Sequence, residues 1–314
     1  MQRVYTVDKI KGAANVNRCI IDKIEELGCR VFPNEPLCGH TSFRIGGPAD
    51  CFVITETQQQ FMDVWTLCRA QNVPLFVIGN GSNLLVSDEG VEGVVLQLPS
   101  SQPPVFNGDT VTAFGGMSLG KLCLAACENG LSGLEFAYGI PGTVGGGVYM
   151  NAGAYGGEMA DVIESVTVLC DDGTTMVLNN AQMCFGYRHS VCMEKPYIVL
   201  SVTLRLTPGE KETIRSKMDE FLSRRKEKQP LEYPSGGSFF KRPAGYFAGA
   251  LIEQSGLKGA SVGGAQISEK HAGFLINRGG ATCRDVMQLS EYVQQVVLEK
   301  HGVLLQCEVQ KIGR

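Results

Sequence analysis

The sequence predicts a mixed α and β protein of about two domains, and three observations carry that expectation. The chain has 314 residues, and at roughly 150 residues per domain that is long enough for two cores. Apolar residues make up 44% and charged residues 19%, with a mean hydropathy of +0.01, which are values of a globular chain. Helix-period and strand-period segments both recur along the chain, and no internal repeat or low-complexity linker interrupts them.

The elements follow in order. Ile20, Ile21, Ile24 and Leu27 form one apolar stripe and Gly28 offers a stop, which predicts a first helix. Pro33 and Pro36 break the chain. Thr57 with Gln60 reads as a capping box ahead of Phe61, Val64, Trp65 and Cys68 at helical spacing, with Trp65 as a core residue. Pro74 to Ile78 reads as a buried strand that turns at Gly79 to Ser82 and resumes at Leu84 to Val86 and Val94 to Leu96. A third helix is predicted from Ser118 as N-cap through Leu119, Leu122, Cys123 and Ala126 to Gly130. Strands are signalled at Val162 to Leu169 and Tyr197 to Leu206.

From about residue 208 the texture becomes more charged, and a domain boundary is expected there. Thr213 to Lys228 is an amphipathic helix with Ile214, Met218, Phe221 and Leu222 on one side, closed by Pro230. Its basic end, Arg224, Arg225, Lys226 and Lys228, either complements the helix dipole as a solvated surface or binds an anion; both readings stand. A last helix, capped by Thr282 with Asp285 and carrying Val286, Leu289, Val293 and Val296, leads to a terminal strand expected at Val303 to Val309.

Several function classes drop out. A net charge of −4 gives no long-range pull toward nucleic acid or anionic lipid, so anion recognition has to be local. No stretch approaches 18 apolar residues, and Met1 to Asn17 lacks the apolar core of a signal peptide, so a cytoplasmic protein is expected. Twelve cysteines spread over the chain form no C-x-x-C pair and no disulfide scaffold; Cys123 and Cys127 read as packed thiols. Four scattered histidines, His40, His189, His271 and His301, assemble no metal site.

The unusual quantity is glycine, 39 residues. Gly79-Asn80-Gly81-Ser82-Asn83 leaves an apolar strand, and its two glycines let successive N–H groups converge on an anion, with Ser82 and Asn83 adding side-chain donors. It is not a dinucleotide fingerprint, because Leu84 holds the sixth position and the continuation is strand-like. In Gly139 to Gly157, eight of 19 residues are glycine, which suits a flat or elongated ligand lying against main chain better than a simple hairpin.

Five segments in one order resemble the UDP-N-acetylenolpyruvoylglucosamine reductase family: Gly79 to Asn83, Ile140 to Gly146, Phe185 to Ser190, Gly236 to Lys241, and Cys307-Glu308-Val309. The resemblance runs from about Gly39 to the C-terminus. It implies an α+β fold with an FAD-binding domain of the vanillyl-alcohol-oxidase (PCMH) type, followed by a smaller α+β substrate-binding domain. The division so implied is a helical segment 1–36, an FAD-binding domain of two α+β lobes 37–209, and a substrate domain 210–314. The activity implied is reduction of UDP-N-acetylglucosamine enolpyruvate to UDP-N-acetylmuramate for peptidoglycan synthesis, with non-covalent FAD and NADPH as co-substrate. No metal, nucleic acid, membrane or obligatory protein partner is implied.

The resemblance also implies site residues. Gly79, Asn80, Gly81, Ser82, Asn83 and Leu84, with Pro141, Gly142, Thr143, Gly145, Gly146 and Gly153, contact FAD. Ser238 is the proton donor, while Arg188 and Glu308 assist at the reacting carboxylate. Tyr187, Lys241, Arg225 and Tyr155 are assigned to substrate binding; Tyr155 either covers the flavin or packs in its glycine-rich turn. Such residue types suit the chemistry, because charge gathering on a carboxylate wants fixed positive charge and hydrogen-bond donors. Two departures stand out: Gln310 replaces a common arginine, and an inserted loop with a substrate-clamping tyrosine is absent, as in the shorter type of the family. Competing readings are a flavin oxidase on the same scaffold and a catalytically silent nucleotide-binding protein.

Overall fold

The computed structural model describes residues 16–314; the stretch read for a leader, Met1 to Asn17, lies almost wholly outside them. The chain divides into two compact units. The first takes residues up to Pro33, Asp50–Asn80 and Gly93–Arg224, and the second takes Asn34–Ala49, Gly81–Glu92 and Arg225–Arg314.

The first unit holds two cores. In one, helix Arg18–Glu26 starts at Asn17, whose side chain accepts the Ile20 N–H at 3.1 Å, and ends before Gly28 at φ +76°. Helix Gln58–Ala70 has both bonds of the Thr57/Gln60 capping box. The apolar stripes of these helices, Ile20, Ile24, Phe61, Val64 and Cys68, close over Cys51, Val53, Leu75, Val94 and Leu96 of the strands. Leu75 to Ile78 lies parallel to Val94 to Gln97. A parallel pair needs a long crossover, and residues 81–92 of that crossover belong to the second unit.

The other core lies on a five-stranded antiparallel sheet in the order Thr175–Asn179, Ile163–Leu169, Ile198–Arg205, Thr110–Phe114, Val105–Asn107. Helices Leu119–Glu128 and Val144–Tyr149 pack there, joined by Ile214 and Met218. The second unit is an antiparallel sheet, Ser235–Ser238, Phe274–Asn277, Ala265–Ile267, Ser261–Val262, against helix Cys283–His301 with its Thr282/Asp285 capping box. Short strand Leu84–Val86 runs parallel to Gln310–Ile312 in the same unit. Among the described residues no helix is long and apolar enough to cross a membrane.

Three observations bear on those expectations. The compact units are not divided at 209/210: helix Lys211–Lys228 buries Ile214 and Met218 in the core of the first unit, and segments 34–49 and 81–92 join the C-terminal part. The expected terminal strand lies instead at Gln310–Ile312. Residues 303–309 alternate like a strand, with Leu304 exposed and Leu305 buried, yet Cys307 makes only an isolated bridge to Phe240. Alternation reports which side chains are buried, not whether a ladder forms. Ser118 is the N-cap residue, but its side chain makes no capping bond.

Glu135 sits in the first unit at 4% exposure and accepts from Ser132 Oγ at 2.6 Å and from the Gly133 N–H at 2.9 Å. Burial pushes its pKa up, but these hydrogen bonds, one from its own amide and the Lys217 charge outweigh that, holding the carboxyl below its ordinary value. A carboxylate depressed in the folded state adds stability above its unfolded pKa that disappears as pH falls through the folded one. Glu135→Gln is therefore expected to be less stable than the parent at neutral pH by about 1 kcal/mol, with the gap closing below about pH 4. Thermal denaturation across pH reads it, and a gap independent of pH refutes the assignment.

Candidate active site

In the second unit the sheet is irregular where Ser238 sits. Ser235 pairs with Ile276 and Ser238 with Phe274, so three steps on one strand match two on the other. That is a β-bulge, a device that re-aims a side chain. Two glycines accommodate it: Gly237 has φ +81°, and a Cβ on Gly236 would press on the Phe43 ring and Val309. The bulge leaves Ser238 exposed while Phe239 and Phe240 enter the core. The Ser238 hydroxyl has no protein hydrogen-bond partner among the described residues.

The C-terminal segment returns alongside. Lys241 N–H donates to Gln306 O at 2.8 Å, and Glu308 N–H donates to Phe239 O at 2.8 Å. Glu308 is thus half-buried on the segment that runs beside Ser238. The neighbouring Cys307 thiol is raised by burial and by the Glu291 charge, so it stays protonated at neutral pH and is no nucleophile. Asn83 Nδ2 donates to Glu308 O at 3.1 Å, and Gln310 N–H donates to Asn83 O at 2.9 Å. The Asn83 side chain, expected to donate to an anion, has a protein acceptor in Glu308. Gln310 is 8% exposed, continuing into the strand beside Leu84.

The glycine segments play two different parts. In Gly79 to Asn83, Gly81 has φ +58°, and a Cβ there would overlap the His40 carbonyl. The N–H groups of Asn80, Gly81 and Ser82 have no protein acceptor among the described residues. In the glycine-rich run of the first unit the amides are already used: Val144 donates to Met117 O at 2.7 Å, Gly145 to Gly115 O at 2.8 Å and Gly146 to Thr143 Oγ1 at 3.2 Å. What that run offers is shape, with Gly146 bare and exposed. A Cβ on Gly79 would strike Thr143, and one on Gly153 would strike Glu158.

Arg188 stands at a tight turn of the first unit, in which Gly186 and His189 exchange N–H to O bonds of 3.1 Å. Its φ is +53°, a left-handed value that costs a side-chain-bearing residue about 1–2 kcal/mol. The guanidinium donates to Gly153 O at 3.0 Å and lies 5.2 Å from the Tyr187 ring centroid. Two residues that sequence reading missed hold this turn. Fully buried Asn151, at φ +43°, donates to Gly186 O at 2.9 Å and accepts from Ala160 N–H at 2.9 Å; Ser190 Oγ donates to Tyr149 O at 2.8 Å. Asparagine's tolerance of positive φ inside a glycine-rich run was the available signal.

Tyr155 stacks on Phe221 at 4.5 Å and 10°, with the Arg224 guanidinium 5.3 Å from its ring centroid. It therefore packs on helix Lys211–Lys228, and Arg224 is also paired with Glu220 at 3.5 Å. Arg225 is half-buried. Among the described residues no cluster of metal-binding side chains occurs.

Comparison with known proteins matches residues 49–179 to a family described as FAD binding domain. Residues 229–312 match one described as UDP-N-acetylenolpyruvoylglucosamine reductase, C-terminal domain. A UDP-N-acetylenolpyruvoylglucosamine reductase of Caldanaerobacter subterraneus subsp. tengcongensis is 48% identical over 296 residues, covering 94% of this chain and 98% of its own. One from Clostridium botulinum is 51% identical over 283 residues, covering 90% and 92%. The crystal structure of the reductase from Thermus caldophilus aligns with a TM-score of 0.76 at 38% identity, covering 90% of this chain and 98% of that one.

Taken segment by segment, the residues present fit parts of an FAD. Three consecutive N–H groups without a protein acceptor among the described residues suit a diphosphate, and in the first unit an exposed backbone free of side chains at Gly146 suits a flat ring.

The bulge makes a testable contrast. Gly237→Ala meets no atom but must hold a left-handed φ, so a loss of about 1 kcal/mol is expected. Gly236→Ala meets Phe43 and Val309 and is expected to lose about 1–3 kcal/mol. Urea denaturation measures both, and a Gly237→Ala protein as stable as the parent contradicts the bulge geometry.

Proposed function

The chain belongs to the UDP-N-acetylenolpyruvoylglucosamine reductase family, and from that premise we propose how its residues divide the work. It is an FAD-containing oxidoreductase of peptidoglycan precursor synthesis, with NADPH as co-substrate. The reaction reduces the enolpyruvyl ether of UDP-N-acetylglucosamine to UDP-N-acetylmuramate, and the place of work is the cytosol. FAD, when bound, supplies the hydride relay from NADPH to the β-carbon of that ether.

The chain's own residues do the rest. N–H groups of Asn80, Gly81 and Ser82 hold the cofactor's diphosphate, and the backbone of Pro141 to Gly146 and Gly153 offers it a surface without side chains. Ser238 gives its hydroxyl proton to the α-carbon, which becomes electron-rich when hydride arrives next to it. A serine is a weak acid, but such a carbon is basic enough to take its proton at hydrogen-bond distance. The Arg188 fork meets the substrate carboxylate, and Glu308 in its acid form donates to it. Lys241 and Arg225 meet phosphate charge, and Tyr187 lines the pocket.

One observation carries this reading. The bond from Glu308 N–H to Phe239 O, 2.8 Å, puts the candidate acid beside a bulge whose only exposed product is the hydroxyl of Ser238. The purified protein is expected to be yellow, bleached by NADPH and recoloured by the enolpyruvyl nucleotide. Ser238→Ala is expected to keep the bleaching and to slow the recolouring by about 100- to 10000-fold. Loss of both phases, or of neither, in stopped-flow absorbance counts against the role given to Ser238.

A further inference from the structure

In the second unit the cofactor loop, the strand bearing Ser238 and the segment bearing Glu308 are joined in a closed ring of hydrogen bonds. Ser42 N–H donates to Gly81 O at 3.3 Å. The same residue grips the bulged strand twice, its Oγ donating to Ser235 O at 2.7 Å while Ser235 N–H donates to Ser42 O at 3.1 Å. From Ser235 the strand passes through the two glycines to Ser238 and Phe239. Phe239 O accepts Glu308 N–H, Glu308 O accepts Asn83 Nδ2, and Asn83 lies two residues beyond Gly81. Gln310 N–H donating to Asn83 O locks that last contact.

We propose that Ser42 and Asn83 are positioning residues that set Ser238 and Glu308 in register with the loop Gly81 to Asn83. Two side-chain bonds do this: Ser42 Oγ to Ser235 O on the bulged strand, and Asn83 Nδ2 to Glu308 O on the C-terminal segment. Neither side chain touches a reacting atom. A bulge with two glycines is the most pliable part of its strand, because glycine leaves the backbone many conformations. Ser238 therefore needs an outside restraint, and Ser42 supplies it just three residues upstream. Glu308 lies on a segment with an isolated bridge in place of a ladder, so it too lacks the restraint of a regular sheet until Asn83 grips its carbonyl. Proton transfer is sensitive to such placement, and an error of about 1 Å costs on the order of 100-fold in rate.

The proposal rests on the roles given to Ser238 and Glu308, and the test separates the two. Ser42→Ala removes the hydroxyl, and Asn83→Asp keeps the shape but cannot donate to Glu308 O. In the flavin-loaded protein each is expected to slow recolouring by the enolpyruvyl nucleotide by about 10- to 100-fold. For Ser42→Ala, NADPH bleaching and flavin affinity, read by flavin fluorescence, are expected to change by less than about 3-fold, since the loop's N–H groups are untouched. Ser42→Thr, which keeps the hydroxyl, is expected to restore recolouring. In a Ser238→Ala background, Ser42→Ala is expected to add almost nothing, because it acts through the group already removed.

Melting temperatures accompany each variant, and either one alone decides if the other fails to fold. Parental recolouring in Ser42→Ala or Asn83→Asp, with Ser238→Ala still inactive in that phase, overturns the positioning role and leaves the Ser238 reading standing. Equal slowing of both phases with weakened flavin binding overturns it in favour of a plain cofactor cradle. Parental recolouring in Ser238→Ala overturns the reading beneath it, and the proposal with it.

Discussion

The amide of Glu308 reaches the carbonyl of Phe239 at 2.8 Å, and much of the second unit exists to make that contact possible. The strand that carries Phe239 has to leave ladder geometry at Gly236 and Gly237 for Ser238 to face outward. The segment that carries Glu308 has to approach without a full strand of its own. Both deviations cost backbone order. They are tolerated because each is over-determined by neighbours: Phe239 and Phe240 anchor one side in the core, and Leu305 and Val309 anchor the other. A single bond of this kind is worth about 1 kcal/mol, so its importance is geometric.

The first unit solves a similar problem with a different device. Arg188 must stand on a corner where its backbone is left-handed, and the corner is held from beneath by buried Asn151 and by Ser190. The amides of the glycine-rich run are spent on Met117, Gly115 and Thr143, which fixes the run as a wall. By contrast, the amides of Asn80, Gly81 and Ser82 have no protein acceptor among the described residues. Glycine permits close packing of main chain on main chain in both segments, Gly145 against Gly115 and Gly81 against His40; at Gly81 it also permits a turn that frees donors.

The second unit gathers pieces from three parts of the chain, 34–49, 81–92 and 225–314. The parallel pair Leu75 to Ile78 with Val94 to Gln97 demands a long crossover, and the chain uses it to send Leu84 to Val86 against Gln310 to Ile312. Ser42 and Asn83 enter the second unit on such visiting segments. This explains how groups more than 200 residues apart, Asn83 and Glu308, come to share a hydrogen bond.

Local physics was legible in the residues themselves. The Thr57/Gln60 and Thr282/Asp285 caps, the helical stripes and the strands Ile163–Leu169 and Ile198–Arg205 depend on neighbours a few positions away, and the sequence by itself determined them. It also determined that bare backbone was needed at Gly79 to Asn83 and Gly139 to Gly157, because no other residue supplies it. Only the tertiary structure decided that helix Lys211–Lys228 packs with the first unit, that residues 303–309 form a bridge in place of a strand, and that Tyr155 stacks on Phe221. It also decided that the Asn83 amide grips Glu308 and that Asn151 and Ser190 hold the Arg188 turn. Those outcomes turn on contacts between distant segments, whose partners no local periodicity encodes.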